Sequence, residues 1–192
     1  MSRRVIGCLG LIFCALWLAA PTSAGVELKG GKLTVDGRPF FPLGIWSDGS
    51  TTAEELRWYG LNTDFRGIGP SADGPAQLRE HVTAFRRRGL EVVPYFGFGG
   101  AGVVPWKTAD LEAYLKIAGT PGLLGWYIGD DLGPEHLAGM QATANTVHAG
   151  DPEHPVVADY IATLEPGLRT RVRPYLDIMC QYGYPIPDES LR

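Results

Sequence analysis

The sequence predicts an α/β fold in which a parallel sheet is covered by helices, and three observations carry that expectation. Short, unbroken apolar runs alternate with amphipathic helical patterns from Gly25 onward, as parallel strands buried on both faces require. The units repeat about six times with no low-complexity linker between them, so they read as one domain. The N-terminal stretch that precedes the first unit has a different, two-residue period and reads as a separate small hairpin.

That hairpin is VELKGGKLTVDGRPF, residues 26–40. Val26, Leu28, Leu33 and Val35 alternate with polar residues around Gly30-Gly31, and Asp36-Gly37 supplies the next turn. The first wall strand is FFPLGIW, 40–46. A helix follows, with Thr51 and Glu54 spaced as a capping box and Gly60 as its stop. The second strand is LNTDFRG, 61–67, and the next helix starts near Pro75, carries Leu78, Val82 and Phe85 on one face, and ends in Arg86, Arg87, Arg88 and Gly89. Three cations at a helix C-terminus complement its dipole and call for no phosphate ligand.

The third strand is LEVVPYFGF, 90–98, followed by a glycine-rich loop and a helix over about 108–118. The loop has neither a GK[ST] ending nor a GxGxxG opening onto a helix, so nothing marks it as a nucleotide site. The fourth strand is LLGWYIGDD, 123–131; a helix begins at Pro134 with Leu137, Met140, Ala144 and Val147 facing inward. The fifth strand is PVVADYI, 155–161. A short helix over 165–173 and a sixth strand, YLDIMCQYGYP, 175–185, complete the pattern. Two architectures suit it: an open doubly wound sheet, complete at six strands and containing a reversal of strand order, or three quarters of a (β/α)8 barrel.

The first 24 residues read as a secretory signal: MSRR, the apolar run Val5–Ala20, then small residues with cleavage after Ala24. The run is shorter than the roughly 20 apolar residues a membrane span needs. Export to the periplasm or medium is expected, without membrane insertion. Cleavage leaves residues 25–192, removes Arg3 and Arg4, and takes the net charge from −4 to −6. An acidic chain lacks the basic surface that nucleic acid or an anionic membrane selects. Cys8 and Cys14 leave with the signal, Cys180 remains alone, and the domain must be held by its core.

Ligands of parallel α/β folds bind beyond the C-terminal strand ends. There this sequence places Trp46 and Asp48, Asp64 and Arg66, Tyr95, Phe96 and Phe98, Asp130 and Asp131, Asp159 and Tyr160, then Gln181, Tyr182 and Tyr184. Carboxylates mixed with large rings suit a sugar, whose apolar faces stack on rings while its hydroxyls bind acids. A carbohydrate is therefore the expected partner. His81, His136, His148 and His154 fall in or just after helices and form no HxH or HExxH, so neither a metal nor any other cofactor is expected. No GxSxG elbow supports a serine hydrolase.

Three segments carry a family resemblance. WYIGDD, 126–131, resembles the W-S-x-G-N-E stretch on the fourth strand of the β-galactosidase and β-glucuronidase family, in the large retaining clan of (β/α)8-barrel glycoside hydrolases. DGRPFFPLGIW, 36–46, is similar to the D/N-G-K/R-P-F-F-x-x-G segment that opens the barrel there, and GLNTDFR, 60–66, resembles its G-x-N-x-x-R second strand. The resemblance implies a TIM-barrel type domain, represented over 25–192 by about six β/α units behind the short hairpin. It also implies an enzyme that hydrolyses O-glycosyl bonds.

By the same resemblance Asp131 stands where the general acid/base Glu stands, and Asp130 where an Asn contacts the sugar 2-hydroxyl. Arg66 falls on the Arg that supports the catalytic carboxylate, and Trp46 with Tyr182 and Tyr184 would line the sugar subsite. Burial beside Trp126 and Asp130 is expected to keep Asp131 protonated while Asp130 stays ionised. Two departures qualify the match. Asp131 is one methylene shorter than Glu, and the strand that bears the nucleophile in this clan, the seventh, lies beyond the six units, so the sequence is expected to be a piece of a longer barrel, with a natural three-quarter barrel as the alternative. The other reading is a non-catalytic carbohydrate-binding barrel.

Overall fold

A computed structural model of the chain describes residues 25–47, 49–71, 73–96, 106–161 and 167–182. The first element is an antiparallel sheet of β1 (Val26–Lys29), β2 (Lys32–Val35) and β3 (Arg38–Pro39). The hairpin expected at the N-terminus is thus a three-stranded sheet. The wall follows as β4 (Gly44–Ser47), β5 (Thr63–Gly67), β6 (Glu91–Tyr95), β7 (Trp126–Leu132), β8 (Val156–Ile161) and β9 (Ile178–Tyr182). Between them lie α1 (Ala53–Trp58), α2 (Gly74–Arg86), α3 (Thr108–Leu115), α4 (Leu137–Gly150), led in by a 3-10 turn at Pro134–His136, and α5 (Leu168–Val172).

The six wall strands lie in the order β4-β5-β6-β7-β8-β9, every neighbouring pair parallel. Sequential order has no reversal and hence no switch-point crevice, which separates this sheet from the doubly wound alternative. It is the wall of a TIM-barrel-like α/β fold.

Local chemistry accounts for where the elements begin and end. The wall strand expected over 40–46 starts only at Gly44, because Pro42 cannot donate to a ladder. Phe40 instead extends the hairpin, its N–H bonding the carbonyl of Leu33 at 2.9 Å. The capping box of α1 sits one residue later than Thr51 and Glu54: Thr52 Oγ1 accepts from Glu55 N–H at 3.2 Å, and the Thr52 N–H donates to Glu55 Oε2 at 2.7 Å. Both pairs obey the same three-residue spacing, and the buried faces of Ala53 and Leu56 select the second. The arginines at the end of α2 serve the fold, as Arg86 ion-pairs with Asp36 and Glu91 while Arg88 pairs with Glu54.

Alternation along the strands divides the core in two. Val92, Trp126, Ile128, Val156 and Ala158 face the helices and pack on Leu56, Leu78, Val82, Leu111, Met140, Val147 and Leu168. Val93, Leu124, Tyr127 and Val157 face the other way, packing with Val35 of the hairpin and with Phe65 and Tyr95. Each fully buried large aliphatic side chain contributes roughly 1.5–3 kcal/mol relative to exposure. The hairpin therefore plugs the inner face near the N-terminal strand ends, where a hollow of about 520 Å³ is lined by Val26, Asp36, Arg86, Glu91 and Leu123. That leaves the C-terminal strand ends as the working end. Among the described residues no helix is long and apolar enough to cross a membrane.

Candidate active site

At the C-terminal ends of the inner face, four rings and three carboxylates converge. Trp46 at the end of β4 meets Tyr95 and Tyr127 edge-on, each with ring centroids 4.7 Å away, and Phe65 at 5.4 Å. Tyr95 and Tyr127 meet edge-on at 5.4 Å. Quadrupole complementarity favours such edge contacts. Trp46 remains 44% exposed, so its indole offers a free surface above the buried Tyr127 ring and the half-buried Phe65 and Tyr95 rings.

The carboxylates come from two adjacent strands. Asp130 and Asp131 stand near the end of β7 and Asp159 near the end of β8, and one oxygen of each lies within 4.8 Å of the others. Among the described residues this is the one such group of three or more His, Cys, Asp or Glu side chains, and it contains neither imidazole nor thiolate to favour a transition metal.

Backbone irregularity brings the acids there. The β7–β8 register slips between Tyr127 and Gly129 and again between Gly129 and Leu132, a bulge of the kind that re-aims side chains beside active sites. Gly129 fits because Leu132 folds back over it; a Cβ there would meet the Leu132 side chain at 2.9 Å. Asp131 takes φ = 49°, a left-handed conformation that Asp tolerates better than most residues. Its N–H, turned sideways, donates to Asp159 Oδ1 at 2.6 Å.

Two phenols complete the network. Tyr95 stands against Asp130 and Tyr127 against Asp159. Burial first, and the facing carboxylates next, hold both phenols well above their usual range. Asp159 is 1% exposed. Burial, reinforced by Asp130 and opposed by the Tyr127 hydroxyl, pushes its carboxyl up to about 7.

The residues expected at the site divide clearly. Trp46, Tyr95, Asp130, Asp131 and Asp159 come together. Asp64 does not: it is fully buried on the helix side of β5, where Oδ2 pairs with His81 Nε2 of α2 at 2.7 Å. Arg66 lines a small polar cleft with Gly69, Gln77, His81 and Tyr114, its guanidinium packed under Gly49. Tyr182 is placed in β9 by its backbone, and Asp48, Phe98 and Tyr184 lie outside the described residues, as does the signal segment.

Trp126, expected beside Asp131, is on the opposite face of β7. It stacks on Phe96 at 5.5 Å and donates from Nε1 to Asp151 Oδ2. A helix-facing side chain five positions up the strand cannot desolvate an acid on the bulge, and Asp131 is only half-buried. The acid that burial does isolate is Asp159. Tyr127 and Phe65 were not singled out in the sequence, although the two-residue period from Tyr95 and Trp46, once paired in register, points to both.

No protein-family model matches the chain, and no curated protein matches its sequence. Solved structures do resemble it. A β-D-glucuronidase from Dictyoglomus thermophilum aligns over 86% of this chain and 33% of its own, at 13% identity and a TM-score of 0.58. A glycoside hydrolase family 5 mannosidase from Rhizomucor miehei aligns over 82% of this chain and 61% of its own, at 12% identity and a TM-score of 0.60. An HMG-CoA lyase from Brucella melitensis aligns over 71% of this chain and 54% of its own, at 15% identity and a TM-score of 0.53. The chain thus spans about a third of the glucuronidase and less than two thirds of the mannosidase. At such identities the likeness is one of fold, and function has to be argued from the site.

Proposed function

We propose that the chain is the greater part of an exported glycoside-hydrolase-like barrel, acting on a poly- or oligosaccharide through carboxylate acid/base chemistry at the β7 tip. The observation that carries this reading is the half-exposed Trp46 indole beside the Asp130–Asp131–Asp159 cluster. A pyranose stacked on that ring would bring its hydroxyls and glycosidic oxygen within reach of acids on the neighbouring strands. Glycoside hydrolases among the similar folds support the same class.

In this reading Asp131, on the bulge, is the proton donor to the leaving oxygen, and Asp130 receives a sugar hydroxyl. A retaining mechanism needs a second carboxylate about 5 to 5.5 Å away on the other side of the scissile bond. Asp159 is tied into the same patch by the hydrogen bond it accepts from the Asp131 N–H, so it supports the donor rather than opposing it. The nucleophile would come from a further β/α unit.

Aryl glycosides of several sugars, offered to the complete encoded protein, provide the test. Turnover that falls at least a hundredfold in Asp131→Asn supports the assignment. Turnover unchanged by that substitution removes Asp131 from the mechanism, and saturable sugar binding without any turnover replaces the hydrolase with a binding barrel.

A further inference from the structure

At the end of the sheet away from the candidate site, the hollow under the hairpin holds more negative charge than its cations answer. Glu27, Asp36, Glu91 and Glu153 line it against one arginine, Arg86, and Arg86 is already divided between Asp36 and Glu91. His154, also in the lining, turns Nδ1 to the Asp151 carboxylate at 2.9 Å. Among the described residues neither Glu27 nor Glu153 has an ion pair.

One acceptor there is both dry and unused. Glu91 is 3% exposed; its Oε1 takes the Arg86 guanidinium, whereas Oε2 has no hydrogen-bond partner. A buried carboxylate oxygen without a donor is costly. Burial raises the Glu91 carboxyl above its usual range against the pull of Arg86, as a site short of one cation requires.

Size and walls narrow the missing group. The hollow measures about 520 Å³, within the range of small-ligand sites. Val26, Leu28, Val35, Pro121 and Leu123 give it an apolar wall beside the acids. A divalent ion needs several oxygen ligands drawn together, and among the described residues the one such group lies at the β7 and β8 tips. An alkylammonium suits both halves, its N–H groups donating to carboxylates while its carbons lie on the apolar wall.

We propose that this hollow is a binding site for an ammonium group on a short aliphatic carrier, at the opposite end of the sheet from the carboxylate cluster. Two sources share that chemistry. One is the chain itself: Gly25 lines the hollow, its N–H donates to Asp36 Oδ1 at 3.2 Å, and its carbonyl accepts the Asp36 N–H at 2.9 Å. Cleavage after Ala24, which rests on the export reading, turns that N–H into an α-ammonium. The other source is a free small amine.

The experiment compares two forms of the complete exported protein, one beginning at Gly25 and one that keeps Ala24, which moves the ammonium one residue, about 3.8 Å, along the chain. Propylammonium is the probe and propanol its uncharged control, both followed by calorimetric titration. The α-amino pKa is read by NMR against its ordinary value of about 7.7–8.0. An α-amino pKa raised by about half a unit or more in the Gly25 form, with propylammonium admitted only when Ala24 is kept, assigns the site to the chain's own terminus. Equal binding to both forms with an ordinary α-amino pKa assigns it to a free amine. If the exported protein begins elsewhere, the propylammonium titration alone decides.

Glu91→Gln should weaken propylammonium about tenfold or return the α-amino pKa to its ordinary value. Should that variant fail to fold, Glu153→Gln at the exposed rim removes a charge from the same hollow and should weaken the probe about threefold. An ordinary α-amino pKa with no propylammonium binding overturns the proposal. So does propanol that binds as well as propylammonium, or binding that neither substitution changes.

Discussion

The indole Nε1 of Trp126 donates to Asp151 Oδ2 at 2.7 Å, joining the first residue of β7 to the residue that follows α4, with both side chains buried. His154 Nδ1 lies 2.9 Å from the same oxygen, and the Asp151 carboxylate also caps the backbone N–H groups of Glu153 and His154. One carboxylate thereby holds the turn that sends the chain from α4 into β8.

Trp126→Phe should therefore cost more than its lost area. The ring stack on Phe96 would survive in part, but Asp151 would lose one of its donors in a dry site, at about 1–3 kcal/mol. At roughly 2–4 °C per kcal/mol for a chain of this size, the melting temperature should fall by about 2–12 °C in calorimetry. An unchanged melting temperature would mean that water replaces the indole at no cost.

Two buried aspartates give stability opposite pH slopes. Burial pushes Asp151 up, but the hydrogen bonds from His154 and Trp126 outweigh it and leave the carboxyl below its usual range. Its contribution is present above the unfolded value and is lost only as pH falls through the lower folded one, below about pH 4. Asp159 is raised to about 7. Its proton is bound in the folded chain and lost in the unfolded one, so that contribution is complete below about pH 4 and declines as pH rises to about 7. Denaturant titrations should show the highest stability between about pH 4 and 5, and the decline above it should shrink in Asp159→Asn.

Trp46→Ala separates binding from folding. The indole is 44% exposed and meets its neighbours edge-on, so truncation should lower the melting temperature by only a few degrees. Loss of the stacking face should weaken sugar binding at least tenfold, about 1.4 kcal/mol. Calorimetric titration with an oligosaccharide reads both the affinity and its enthalpy.

The edge at β4 is a liability of the isolated chain. Phe41, Leu43, Ile45 and Trp46 along this edge and Trp58 and Tyr59 at the end of α1 are all exposed, Phe41 at 80% and Trp58 at 85%. Exposed apolar edge strands invite association. Sedimentation velocity should detect concentration-dependent self-association, and Leu43→Lys with Ile45→Lys should suppress it. A monomer at every concentration would show that this edge is covered by other means.

Much of the architecture was legible because it is local. Strand and helix alternation is written in the period of the apolar residues, Pro75 and Gly89 bracket α2 closely, and GDD stood out as acids at a strand tip. A capping box misplaced by one residue at Thr51 and Thr52 shows the limit of spacing alone. Side-chain direction was harder. A two-residue period sorts Asp64 from Phe65 and Trp126 from Tyr127, but it does not say which set faces the helices, and so Asp64 was assigned to the site and Tyr127 was not.

By itself the sequence determined that this is a chain of parallel β/α units behind an antiparallel hairpin, with acids and rings at the strand ends, since residue types and spacing suffice for each. Only the tertiary structure decided that the six strands run in sequential order, that a double register slip turns Asp131 aside, and that Asp159, 28 residues later, holds its backbone. Pairing between strands joins residues far apart in the chain. Its register depends on how the layers pack, and no local pattern encodes that.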